Sequence, residues 1–77
     1  MGSKYPVLRP SEVIKALNRF GFVFKSQKGS HAKYTRASTM TPTRTVIVPM
    51  HNEVARGTLQ SILDQAGLSL EEFMEKL

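Results

Sequence analysis

The sequence predicts an α+β domain: a three-stranded antiparallel sheet with two helices laid on one of its faces. Three observations carry this. A helical apolar period is followed by two alternating runs joined at a glycine, and then by a β-branched run closed by a proline. A second helical period comes next, and a short helix ends the chain, so the order is α-β-β-β-α plus one short helix. Three antiparallel strands leave a face bare, and two amphipathic helices on that face close a two-layer core.

Each element has a local reason. Pro10-Ser11 opens the first helix, with Ser11 expected as its N-cap. Val13, Ile14, Leu17 and Phe20 recur at steps of three and four, which is one helical face. Gly21 follows where a left-handed C′ residue belongs. Phe22, Phe24 and Ser26 then alternate with Val23, Lys25 and Gln27 as a strand does. Lys28-Gly29 turns the chain, and Ser30 to Arg36 reads as a strand pairing back antiparallel. Ala37 to Thr43 is polar, carries Pro42 and has no period, so it reads as a loop. Thr45-Val46-Ile47-Val48 is strongly strand-prone and ends at Pro49.

Met50 to Arg56 reads as a loop. Leu59, Ile62, Leu63 and Ala66 mark a second amphipathic helix, capped by Thr58 or Gly57 and stopped by Gly67. Ser69-Leu70-Glu71-Glu72 is a capping box, with Leu68 placed to staple against Phe73. Leu70, Phe73, Met74 and Leu77 extend this into an apolar stripe expected to pack on the domain.

Composition bounds the function. Seventy-seven residues make one domain, 1–77, with 40% hydrophobic and 22% charged residues, as in soluble globular proteins. There is no cysteine, so no disulfide or thiolate site staples the fold. No apolar run approaches the ~18 residues of a membrane span. Met1-Gly2-Ser3-Lys4 lacks the apolar segment of a secretory signal, and Pro6 stands where a myristoylation signal needs Ser or Thr. A cytoplasmic protein with no membrane partner is the expectation.

The net charge of +5 is unevenly spread. Residues 1–56 hold ten Lys and Arg against Glu12 and Glu53, whereas residues 57–77 hold only Lys76 against Asp64, Glu71, Glu72 and Glu75. A basic body with an acidic tail points to a polyanion-facing surface on the first part.

His31 stands just past the Gly29 turn, ringed by Lys25, Lys28, Lys33 and Arg36. An imidazole ordinarily titrates at about pH 6.5, so histidine is suited to proton transfer near neutrality. Strand alternation puts His31, Lys33 and Thr35 on one face, open to solvent, and Ala32 and Tyr34 on the helix face. The competing reading is a histidine that fills a hairpin edge. His51, in the loop after Pro49, could supply a second acid or base, or could simply order that loop. Arg56-Gly57-Thr58 offers a cation and free amides at a helix start, or ordinary capping. Two histidines 20 residues apart, without cysteine or a carboxylate pair at ligand spacing, do not make a zinc site, so no metal or cofactor is expected. Lys28-Gly29-Ser30 is not a Walker loop, and Ser30 lies in no nucleophile elbow.

A wider pattern is present. Leu17 to Phe22 reads Leu-Asn-Arg-Phe-Gly-Phe and leads into Lys28-Gly29-Ser30-His31, with Tyr34 three residues on. Val46-Ile47-Val48-Pro49, His51, Gly57-Thr58-Leu59, Ile62-Leu63 and Ala66-Gly67 follow. In order and spacing, over about residues 11 to 74, these resemble the HicA (YcfA-like) family of bacterial toxins. The resemblance implies a double-stranded-RNA-binding-domain-like fold. It implies a ribosome-independent mRNA interferase, an endoribonuclease that arrests translation as part of a stress response, and a HicB antitoxin that occludes it. The family's catalytic histidine, in its Gly-Ser-His motif, maps onto His31.

On that reading His31 is the catalytic acid or base of metal-independent RNA cleavage. Lys25, Lys28, Lys33 and Arg36 bind the RNA backbone, Gly29 permits its close approach, and Ser30 orients His31 or donates to phosphate. His51 and Arg56 are accessory candidates. Tyr34 reads as core. Two other classes fit the same residues: a non-catalytic RNA-binding module using the basic hairpin, and a pure interaction protein defined by its antitoxin.

Overall fold

The computed structural model of the chain describes residues 5–37 and 42–77. The element order is α1 (Pro10–Arg19), β1 (Val23–Lys28), β2 (His31–Arg36), β3 (Arg44–Pro49), α2 (Arg56–Ala66) and α3 (Leu70–Glu75). The sheet is antiparallel throughout, with strand order β1-β2-β3. The expected α+β class and order are therefore observed. The expected loop 37–43 lies mostly outside the described residues, as do Met1 to Lys4.

One face of the sheet is the core and the other is open. Ala32, Tyr34, Val46 and Val48 are buried against Val13, Ala16 and Leu17 of α1 and Leu59, Ile62 and Leu63 of α2. Both helices pack on β3, and α3 packs on both helices through the fully buried Phe73. Among the described residues, no helix is long and apolar enough to cross a membrane.

Both long helices end in the same motif. The Phe22 N–H donates to Leu17 O at 3.1 Å and the Gly21 N–H to Asn18 O at 3.0 Å. At the end of α2, the Leu68 N–H donates to Leu63 O at 3.0 Å and the Gly67 N–H to Asp64 O at 3.3 Å. These are Schellman pairs, and Gly21 and Gly67 act as the stops their positions suggest. The α3 capping box is complete: the Glu72 N–H donates to Ser69 Oγ at 3.1 Å, and the Ser69 N–H donates to Glu72 Oε1 at 2.9 Å.

Several boundaries differ from expectation. Ser11 is not the N-cap of α1. Pro10, whose fixed φ suits the first helical position, takes that place, and the extended Arg9 precedes it. The Arg9 N–H is held by Glu12 Oε1 at 2.9 Å. Helix α2 begins at Arg56 with Ala55 as N-cap, so neither Gly57 nor Thr58 caps it and Arg56 is not in the loop. An antiparallel bridge between Leu8 and Val54 keeps the chain extended up to that point, and the helix starts as soon as the pairing ends. Ser30 is the second residue of the turn rather than the first of β2.

In β1 the alternation breaks. A bulge between Phe24 and Ser26 inserts Lys25, so Phe24 pairs with Tyr34 but Ser26 pairs with Lys33, on the opposite face. Phe22, Phe24 and Ser26 therefore do not share one face. No residue of β1 is buried, and Phe24 is 56% exposed although its ring meets Tyr34 edge-on at 5.7 Å. The helices lie over β3 and do not reach this strand. The α3 stripe is also only partly covered: Leu70 is half-buried, while Met74 and Leu77 are exposed near the chain end.

Candidate functional site

The β1–β2 turn sets the site. Lys28 pairs with His31 across a two-residue loop, Gly29-Ser30. Gly29 has φ +60 and no other residue takes a positive φ in the turn. Glycine at the first central position and an ordinary φ at the second fit a type II′ turn, which suits the twist of a hairpin. The Gln27 side-chain amide donates to Gly29 O at 3.0 Å and steadies the loop. A Cβ on Gly29 would meet nothing within 4 Å, so the turn stands clear and a phosphate chain can approach its backbone.

The register then decides which side chains meet. His31, Lys33 and Thr35 share the open face, as the alternation predicts, and His31 and Lys33 are exposed. Pairing puts Lys28, Ser26 and Val23 of β1 on that face, and Thr45, Ile47 and Pro49 of β3 on its other side. Lys28, His31 and Lys33 thus form one basic cluster beside the turn. Among the described residues their side chains have no hydrogen bond or ion pair, which leaves them available to a ligand. Lys25 is exposed at the bulge, further along β1.

Arg36 is not part of this cluster. It lies at the other end of β2 and on the helix face. Its guanidinium sits 4.9 Å over the Phe22 ring and donates to Phe20 O at 3.3 Å. Its cross-strand partner Arg44 likewise turns to a helix, donating to Gln65 O at 3.3 Å. Tyr34 is buried, as expected of a core residue.

The loop after β3 comes close to the turn. The Met50 N–H donates to Ser30 O at 2.6 Å, which extends the ladder by one bond beyond the His31–Pro49 pair. His51 follows, exposed, two residues after the cross-strand partner of His31. This loop faces the start of α1 across an open cleft of about 410 Å³, lined by Arg9, Pro10, Met50, His51, Asn52 and Glu53. Sequence reasoning missed Arg9 and Asn52 here, because the two walls meet only through the long-range Leu8–Val54 bridge. Arg56 is exposed at the first position of α2, and the first-turn amides beside it belong to Arg56, Gly57 and Thr58. Among the described residues no three His, Cys, Asp or Glu side chains gather as a metal site would need.

Comparison with known proteins adds the family. No curated protein matches the chain. A family model described as "HicA toxin of bacterial toxin-antitoxin" matches residues 10–68. That span runs from the first residue of α1 past the end of α2 and contains the whole sheet, the Gly29-Ser30-His31 turn and the cleft loop. It covers most of the chain and leaves only α3 and the N-terminal segment outside. The protein belongs to the HicA family, the toxins of bacterial toxin–antitoxin systems, and so implies an antitoxin partner.

Proposed function

We propose that this toxin is an endoribonuclease that cleaves mRNA without a metal and thereby stops translation in the cytoplasm. The observation that carries the proposal is the imidazole of His31, exposed and without a hydrogen-bond partner among the described residues, beside Lys28 and Lys33 on a sheet face that none of the described helices covers. The reaction is a transesterification. The ribose 2′-oxygen loses its proton and bonds to the adjacent phosphorus. The bond from phosphorus to the 5′-oxygen breaks, and that oxygen gains a proton. The products are a 2′,3′-cyclic phosphate and a 5′-hydroxyl.

His31 carries the proton at one of these two oxygens, a role typically worth about 10²–10⁴-fold in rate. Lys28 and Lys33 hold the backbone and offset charge that builds on the phosphoryl oxygens. Gly29 keeps the approach open and Ser30 lines it, while Lys25, further along β1, binds the RNA backbone beyond the cluster. The antitoxin inhibits by lying over His31 and the basic hairpin. The same face supports this, since Val23 is 61% exposed there and gives a partner an apolar contact beside the lysines.

The test is cleavage of RNA in EDTA by the wild type and by His31→Ala. Cutting by the wild type alone is expected. RNA bound but uncut by both would establish a binding module instead. Absence of RNA affinity at low salt would leave an interaction protein. A toxin–antitoxin complex that still cuts at full rate would exclude occlusion.

A further inference from the structure

We infer that the cleft between the start of α1 and the loop after β3 is a nucleobase subsite, which gives the toxin a base preference next to the bond it cuts. This inference rests on the proposed RNA cleavage at His31. Three observations carry it.

The first is that the cleft is built before any ligand arrives. The Leu8 N–H donates to Val54 O at 3.3 Å and the Val54 N–H donates to Leu8 O at 2.6 Å, directly behind the two walls. Arg9 is held on both sides of its backbone. Its N–H is bound by Glu12, and its carbonyl accepts from the Glu12 and Val13 amides at 3.0 and 3.1 Å. The other wall is tied to the hairpin by the Met50 to Ser30 bond. The cleft is open, and its volume of about 410 Å³ leaves room for one base laid against its wall.

The second observation is the chemistry of the lining. Pro10 and Met50 are half-buried and supply apolar surface suited to the flat face of a base. Arg9 donates, Glu53 accepts, and Asn52 and His51 do both, which matches the mixed edge of a base. A phosphate fits poorly. Ser11 also lines the cleft and offers a hydroxyl, but Pro10 has no N–H to give at the helix start, and the Glu53 carboxylate on the facing wall repels an anion.

The third is position. Pro49 is paired with His31, and Met50 is bonded to the turn residue before it. A base held beside Met50 and His51 therefore belongs to a nucleotide adjoining the phosphate at His31. The lysines of the open face suit the phosphate backbone, and backbone contacts position without specifying sequence. The cleft adds what the lysines lack, an apolar wall beside donors and acceptors that can read a base.

The experiment is an NMR titration of the ¹⁵N-labelled wild type with the four nucleoside 3′-monophosphates and, separately, with inorganic phosphate. The expected result is that one or two of the bases shift the amides of Arg9, Ser11 and Met50 to Glu53, with a Kd lower by about tenfold or more than for the others. Inorganic phosphate should shift only the turn from Lys28 to Lys33. Identical shifts from all four nucleotides and phosphate, or no shift at the cleft, would overturn the inference. A second readout is the base distribution at cut sites. Asn52→Ala should flatten it, with cutting of the preferred sequence falling toward that of the rest, and an unchanged distribution would count against the cleft. If the wild type cuts no RNA, the proposed activity falls, while the titration still decides whether the cleft holds a base.

Discussion

The two ends of the sheet use the same kind of charge for opposite purposes. At one end, the cross-strand pair Arg36 and Arg44 is spent on the helices: Arg36 donates to Phe20 O at the end of α1, and Arg44 to Gln65 O at the end of α2. Both helices point their negative dipole ends there, so each arginine also meets a favourable field. At the other end, Lys28, His31 and Lys33 have no side-chain partner among the described residues, and the positive N-terminal ends of α1 and α2 lie on this side. A cation satisfied by a carbonyl stabilises the fold. A cation left unpaired adds to the field that draws a polyanion. The number of basic residues therefore overstates the binding surface, and the partners of each decide which ones count.

The largest expected effect breaks this comparison at the free end. His31→Ala should lower cleavage by about 10²–10⁴-fold while thermal unfolding stays where it was, because an exposed strand residue contributes little packing. Loss of the folded state in that variant would contradict the open face. At the opposite end, Gly67→Ala should destabilise by roughly 1–2 kcal/mol. Gly67 has φ +72, and an added Cβ would lie 2.6 Å from the Arg44 guanidinium carbon, so the flexible end of that side chain has to shift, which adds a little to the backbone strain by disturbing its 3.3 Å bond to Gln65 O. Gly29→Ala, with φ +60 but open space around it, should cost only the backbone strain, about 1 kcal/mol. Denaturant midpoints of the two variants decide the order, and equal losses would mean that Arg44 is not held at Gly67.

A smaller but sharper pair of variants exchanges the readouts. Lys28→Ala should leave stability unchanged and reduce the salt dependence of RNA binding by about 0.7–0.9 in log–log slope, the share of one neutralised phosphate. Arg36→Ala should do the reverse: a loss of about 1 kcal/mol from the ring contact and the hydrogen bond, and an unaltered slope. A reduced slope in Arg36→Ala would return that residue to the RNA surface.

What could be read from the sequence, and what could not, divides along the same line. The exposure of His31 and Lys33 and the burial of Ala32 and Tyr34 follow from the period of two, a local rule that holds wherever one face is covered. The turn at Gly29 and the capping box at Ser69 are equally local. The placement of Arg36 was legible only in part. Alternation puts it on the helix face, yet its proximity in sequence to His31 groups it with the lysines. The bulge at Lys25 shifts half of β1 to the other face, and a bulge leaves no reliable mark in a six-residue strand. The bare side of Phe24 depends on where the helices stop, and the cleft depends on a bridge between residues far apart in sequence. Both are tertiary facts.

The smallest expected effect concerns α3, which docks near the arginine end, where the Arg19 guanidinium donates to Lys76 O at 2.7 Å. The Ser69 backbone N–H, and then its hydroxyl, hold the Glu72 carboxyl below its ordinary value. A lowered folded-state pKa stabilises the fold above the unfolded value, and that stability is lost as pH falls through the folded value. Glu72→Gln keeps the capping geometry, since glutamine serves at this position too, and removes only the charge. The wild type should therefore be slightly more stable than Glu72→Gln at about pH 7, and the two should converge as the pH falls through the lowered value of the carboxyl. The fully exposed side chain keeps the gap small. Parallel stability curves down to low pH would show that the charge of Glu72 contributes nothing. The free end of the sheet should not register the change, because α3 makes its contacts with the helices and lies beyond the lysine cluster. RNA affinity that moves with Glu72 would instead place the acidic helix within reach of the RNA and undo the separation of the two ends.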